Sequence, residues 1–234
     1  MHIMFGRLFI HVFFGDEYDR IVYIDGDTQV AGSLAPLFDV VIPSGGFLAC
    51  RDPAGLFADL SSGWRGRVAA ERRAIGYGQP LNRYFNSGVL VVDRSSWPEI
   101  AAECLKSIGQ FGQKMKYPDQ DILNLAVGDR CTLIANRWNF PGFLIGTAAE
   151  QRVKPHIYHF MSNPRPWKEQ VAPWGAKWAK PYRDLLADHP ALAALTPRPE
   201  IKMTPRYVLQ QLYKGVLEYR RVARILEAAP DLEV

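Results

Sequence analysis

Asp25 and Asp27 stand on either side of Gly26, directly after the apolar run Ile21-Val22-Tyr23-Ile24. Two carboxylates at this spacing can share one divalent cation. Oxygen ligands suit hard ions such as Mg2+ and Mn2+, and such ions bridge protein carboxylates to substrate phosphates. On extended backbone, side chains two residues apart point the same way, with Cα atoms roughly 6.5 Å apart. Gly26 leaves room for a phosphate to approach the chain. The plainer reading is a strand that ends in a polar turn, since Asp-Gly is ordinary turn chemistry. The pair needs company before it carries a function.

Three further segments supply it. YFNSGVLVVD (84–93) sets Asn86 and Ser87 on a turn just before an apolar strand. YPDQDILN (117–124) sets Asp119, Gln120 and Asp121 at a helix start, with Asp119 at the N-cap position and Asp121 complementing the helix dipole. HIYHFMSNPRPW (156–167) sets His159 at a strand end and Arg165 in the loop beyond it. Each also has a plainer meaning: a cap, a turn residue, a core histidine.

The elements that must position these residues follow from periodicity. Residues 3–14 predict a helix that docks on a core. Residues 21–24 predict a strand buried on both faces, because the run is short, continuous and rich in β-branched and aromatic side chains. Another strand is expected near 47–50, and 61–83 reads as a Gly- and Arg-rich loop with a short helix near 68–74. Residues 88–93 have the pattern of a central parallel strand. Ile100, Ala101, Cys104, Leu105 and Ile108 recur at helical spacing within 97–111. Short strands follow at 131–134 and 155–160. Strands alternating with helices predict an α/β sheet with parallel strands, whose ligand crevice lies at the strands' carboxyl ends. Residues 1–195 form the expected domain; 196–234 is a Pro-rich linker and a helix.

The totals narrow the function class. The chain has 234 residues, 48% hydrophobic and 22% charged, which suits one large domain with a core and a tail. A net charge of +4 without a concentrated Lys/Arg stripe argues against a nucleic-acid partner. Cys50, Cys104 and Cys131 are far apart and form no CxxC, which predicts reduced thiols, a cytoplasmic location and no zinc site. The apolar start is broken by Gly6, Arg7 and histidines, is shorter than the ~20 residues of a membrane span, and lacks a small-residue cleavage site. Near the C-terminus, Leu209, Leu212, Tyr213, Val216, Ala223 and Leu226 form a stripe flanked by Lys214, Arg220, Arg221 and Arg224. Two readings of 205–226 stand side by side: peripheral contact with an anionic membrane, or docking on the domain or a partner.

In this order, the four segments resemble glycosyltransferase family 8, over roughly residues 5–170. That family includes bacterial lipopolysaccharide galactosyl- and glucosyltransferases and glycogenin. The resemblance implies a GT-A fold with a mixed sheet, and retaining transfer of galactose or glucose from a UDP-hexose donor to a glycan or lipid-linked acceptor. It implies Mn2+, with Mg2+ as the alternative; imidazole in the ligand set favours Mn2+. By the same resemblance, Asp25, Asp27 and His159 are metal ligands, and Asp119 and Gln120 lie at the reacting sugar. Gly26, Asp52 (in FLACRD), Asn86, Ser87, Asp121, Ser162 and Arg165 belong to the donor and acceptor surface.

Departures accompany the likeness. The family's final motif reads His-x-x-Gly-x-x-Lys-Pro-Trp, whereas here Ser162 replaces the glycine and Arg165 the lysine. Arginine still binds a diphosphate, and bidentately. Only 24 residues precede Asp25, less than the ~30 of one βαβ unit, so the expected fold lacks its first, uridine-holding βα units. A non-catalytic remnant or a glycan-binding module is therefore the alternative. A phosphatase of the haloacid dehalogenase class would need a threonine two residues past the second Asp, but Thr28 follows Asp27 directly.

Overall fold

The computed structural model describes residues 3–14, 16–111, 115–162, 165–168, 175–195 and 209. The chain opens with a 3-10 segment, Ile3–Phe9, that runs into α1 (Ile10–Phe13). There follow β1 (Arg20–Ile24), β2 (Thr28–Val30), α2 (Ala35–Asp39), β3 (Phe47–Arg51), α3 (Pro53–Ala58) and α4 (Ser62–Ala74). Next come β4 (Phe85–Asp93), α5 (Trp97–Phe111), α6 (Pro118–Val127), β5 (Cys131–Ile134), β6 (Phe140–Pro141), α7 (Ala148–Val153), β7 (Ile157–His159) and α8 (Gly175–Asp188).

The described strands form two sheets. The larger has the order β1-β4-β3-β5, and the smaller β2-β7-β6. β4 runs antiparallel to both β1 and β3, while β3 and β5 are parallel. The sheet is thus mixed, as the family resemblance implies, and not the parallel sheet that alternation alone suggests. Alternation counts elements but says nothing of their direction.

β4 is the spine, buried at its first eight positions. Leu90 and Val92 face a core with Leu8, Phe47, Phe85, Trp97, Ile100, Ile122 and Leu123. Val91 faces the opposite side, with Leu37, Leu48, Ile134 and Trp138. This alternation is the period of two that a strand imposes. A third cluster, including Phe140, Tyr158, Phe160 and Trp178, lies against the smaller sheet and α8. Each buried Leu, Val or Phe contributes about 1.5–3 kcal/mol, so both faces of β4 contribute to the stability.

Several expectations are corrected. β1 is half-buried throughout and is the sheet's edge strand, because an apolar run does not reveal whether it has one neighbour or two. The short helix expected near 68–74 is present but begins earlier, so that Ser62–Ala74 form a thirteen-residue helix, α4. Ser61 caps the helix by accepting from Trp64 N, and Val68 and Arg72 pack inward. Asn86 and Ser87 are strand residues, not turn residues. The N-cap of α6 is Tyr117, and Asp119 is its second residue. The basic helix expected at 205–226 lies outside the described residues except for Leu209, which is exposed.

Candidate functional site

Asp25 and Asp27 sit on the turn that carries the chain from the large sheet into the small one. Asp25 N donates to Gly88 O at 2.8 Å, and Phe160 N donates to Asp27 O at 2.8 Å. Ile24 is opposite Val89 in one ladder and Thr28 opposite His159 in the other. The turn is therefore pinned at Gly88, within β4, and at the end of β7. The two acids converge with His159 through these ladders, not through extended backbone between them.

His159 Nε2 lies 3.1 Å from Asp27 Oδ1 and 3.9 Å from Asp25 Oδ2. One ligand atom from each of the three residues lies within 4.8 Å of the other two. The remaining carboxylate oxygens face protein donors. Asp25 Oδ1 accepts from Arg7 at 2.9 Å and from Tyr23 Oη at 2.8 Å, while Asp27 Oδ2 pairs with Arg165. Each acid thus keeps one oxygen turned to a shared point. Two carboxylates and an imidazole are a donor set that can hold a divalent metal ion. Burial opposes ionisation of Asp27, but the bonds from His159 and Arg165 outweigh it and hold the carboxyl below the ordinary range. A Cβ added to Gly26 would meet nothing within 4 Å, so the outer side of the turn is open.

Behind the turn lies a buried polar layer. β4 and β3 lose register there, the pairing jumping from Ala49–Leu90 to Cys50–Asn86. Such bulges re-aim side chains and recur beside active sites. Asn124 holds α6 against this bulge by bonding both Phe85 N and Phe85 O at 2.9 Å. Gln120 Oε1 accepts from Asn86 Nδ2 at 2.8 Å and from Ser87 N at 3.2 Å, and Gln120 Nε2 donates to Asp52 Oδ2 at 3.1 Å. Asp52 also caps α3 by accepting from Ala54 N. Burial raises the Asp52 carboxyl above the ordinary range, with Arg72 opposing, and raises that of Asp119, with Arg7 opposing.

Of the expected site residues, Asp25, Asp27, His159 and Arg165 meet at the turn, and Asp52, Asn86, Ser87, Asp119 and Gln120 lie in the layer behind it. Asp121 has no exposed surface, and its bonds run inward: Oδ2 accepts from Lys116 N and Tyr117 N, and Oδ1 from Tyr84 Oη. Ser162 is half-buried, just past β7.

Three residues at the site escaped the sequence analysis. Arg7 bridges Asp25 at 2.9 Å and Asp119 at 2.6 Å, and donates to Ser87 Oγ at 2.7 Å. Its signal was a lone cation in an apolar segment, which had served only to exclude a membrane span. Arg72 lies buried 3.5 Å from both Asp52 and Asp121, over the Tyr84 ring. In an arginine-rich stretch nothing marked it out. Asn139 bonds His159 Nδ1 at 2.8 Å and carried no motif.

The chain's sequence matches the model of glycosyl transferase family 8 over residues 1–171. It is 22% identical over 177 residues to the lipopolysaccharide glucosyltransferase WaaO of Escherichia coli strain K12, covering 72% of this chain and 50% of that one. It is 24% identical over 182 residues to the lipopolysaccharide 1,3-galactosyltransferase of Salmonella typhimurium, covering 73% and 49%. The chain spans about half the length of these curated relatives. Its fold is similar to that of the galactosyltransferase LgtC, solved with donor and acceptor sugar analogues, at a TM-score of 0.60 and 22% identity over 90% of this chain and 72% of that one.

Proposed function

The chain belongs to glycosyl transferase family 8, and from that premise we propose that it transfers galactose or glucose from a UDP-hexose to a glycan or lipid-linked acceptor, with retention. The observation that supports this best is the convergence of Asp25, Asp27 and His159 on one point in front of Asp119 and Gln120. A phosphatase of the dehalogenase class accounts for neither the family match nor the histidine.

Asp25, Asp27 and His159 would hold Mn2+, which supplies Lewis-acid stabilisation of the charge that develops on the leaving diphosphate. Arg165, now on Asp27, would add a second, planar cation for that diphosphate. Arg7 holds Asp25 and Asp119 in fixed relation, so the metal side and the sugar side keep their distance. Gln120 presents an amide, a poor nucleophile. Retention then follows from acceptor attack on the face that UDP leaves, with a diphosphate oxygen taking the acceptor proton. Asp52 and Asn86 orient Gln120 through direct hydrogen bonds. Among the described residues no helix is long and apolar enough to cross a membrane. The names of the relatives support a lipopolysaccharide-like acceptor, and a cytoplasmic location, peripheral on the membrane's inner face, suits such an acceptor.

The test is Mn2+-dependent consumption of UDP-galactose and UDP-glucose by the full chain. Turnover should vanish with chelator and fall at least about 10²–10³-fold in Asp27→Ala, as for loss of a single group that stabilises transition-state charge. Undiminished turnover in that variant overturns the metal centre. Binding of UDP with Mn2+ but no turnover assigns the chain as a binding module instead.

A further inference from the structure

Asn139 lies between a short 3-10 turn, Asn136–Trp138, and β6, and only 1% of it is exposed. Neither face of its amide touches solvent or the turn of acids. One end meets His159 and the other meets Asn86. We propose that Asn139 is a positioning residue: its amide oxygen holds hydrogen on His159 Nδ1, so that Nε2, which faces Asp27 Oδ1 at 3.1 Å, is the ring nitrogen that gives up its hydrogen to a metal ion. The proposal rests on His159 being a metal ligand.

The direction of the amides is set by backbone donors, not by choice. Gly88 N donates to Asn86 Oδ1 at 3.0 Å, and Ser87 N donates to Gln120 Oε1 at 3.2 Å. Backbone N–H groups can only donate, so these two oxygens are fixed where they are. Asn86 Nδ2 then donates to Gln120 Oε1 at 2.8 Å, and Gln120 Nε2 to Asp52 Oδ2 at 3.1 Å. Asn86 Oδ1 also faces Asn139 at 2.8 Å, so Asn139 must present its NH2 there. Its oxygen is left for His159 Nδ1 at 2.8 Å, which must therefore carry hydrogen. Reversing Asn86 or Gln120 would set N–H against N–H, and reversing Asn139 would set its oxygen against Asn86 Oδ1, at a cost of about 1–3 kcal/mol for each unsatisfied group. Metal-bound histidines generally donate their other ring N–H in this way, which fixes both tautomer and ring orientation. The ring's plane is set independently: a Cβ on Gly88 would fall 2.3 Å from His159 Cε1 and 2.6 Å from Nδ1. One polarised line of hydrogen bonds thus runs from Asp52, at the expected sugar side, to the histidine of the metal side.

The test reads the tautomer directly, by long-range 15N–1H NMR on the full, metal-free chain at alkaline pH, with His159→Gln used to assign the signal. Wild type should show hydrogen on Nδ1. Asn139→Asp, whose carboxylate still accepts from Nδ1 but no longer donates to Asn86 Oδ1, should keep that tautomer. Asn139→Leu should shift the proton toward Nε2 and weaken Mn2+ binding by about 10–100-fold. An Nε2–H tautomer in wild type overturns the proposal, and so does an unchanged tautomer and Mn2+ affinity in a folded Asn139→Leu chain. If that variant does not fold, the wild-type and Asn139→Asp spectra decide alone. A wild type that shows Nδ1–H and binds no Mn2+ overturns the metal centre and leaves Asn139's hold on the ring supported.

Discussion

At the turn, the side chains of Asp25 and Asp27 keep 23% and 24% of their surface. In the layer behind it, those of Asp52, Asp119 and Asp121 keep 9%, 6% and 1%. The same residue type is handled in two ways. At the turn each acid has one oxygen bound to a protein cation and one aimed at an open point. In the layer, burial works against ionisation of Asp52 and Asp119, and Arg72 and Arg7 are set against them. An acid that is to receive a cation from solvent must stay partly hydrated and partly unpaired. An acid that only fixes geometry can be buried, provided that its partners are buried with it.

The sharpest way to break this contrast is to remove a buried cation. Arg72→Leu strands Asp52 and Asp121, and should lower unfolding free energy by about 3–5 kcal/mol in urea titrations. Arg165→Leu at the rim should change it by at most about 1 kcal/mol. Equal effects would erase the distinction between the two regions. Gly88→Ala acts where the regions meet. Its Cβ would collide with the His159 ring, and both the strand and the ring are buried. A destabilisation of about 1–3 kcal/mol is expected, seen as a lower Tm together with weaker Mn2+ binding; a thermal midpoint and a metal affinity both like those of wild type would mean that the ring is not held against β4.

The smallest effect sharpens the contrast through pH. Burial disfavours the Asp27 carboxylate, but His159 and Arg165 outweigh it and depress its folded value. Its ionised form therefore adds stability above the unfolded value of about 3.9, and that gain is lost as pH falls through the lower folded value. Asp27→Asn should cost about 1 kcal/mol at neutral pH, allowing for solvent screening, and progressively less below about pH 4. A gap between variant and wild type that stays constant with pH would refute the charge pairing.

Much of the site was legible as residues. Asp25 and Asp27 were marked as oxygen ligands at the end of an apolar run, and His159 only through the family resemblance. Helix α5 was legible to the residue from its 3.6 period. Arg7, Arg72 and Asn139 were not, because a lone arginine or asparagine has no periodic signature and its partners lie on distant elements. Asp119 was misplaced as a cap for a related reason: Pro118 occupies the first helical position and moves the N-cap back to Tyr117.

The sequence alone determined which side chains are available and which segments must be buried, because composition and periodicity are local properties set by backbone geometry. Only the tertiary structure decided which acids meet the histidine, which arginines neutralise the buried layer, and which way each amide faces. Those outcomes depend on strand direction, register and a bulge, and these are settled by long-range pairing and packing.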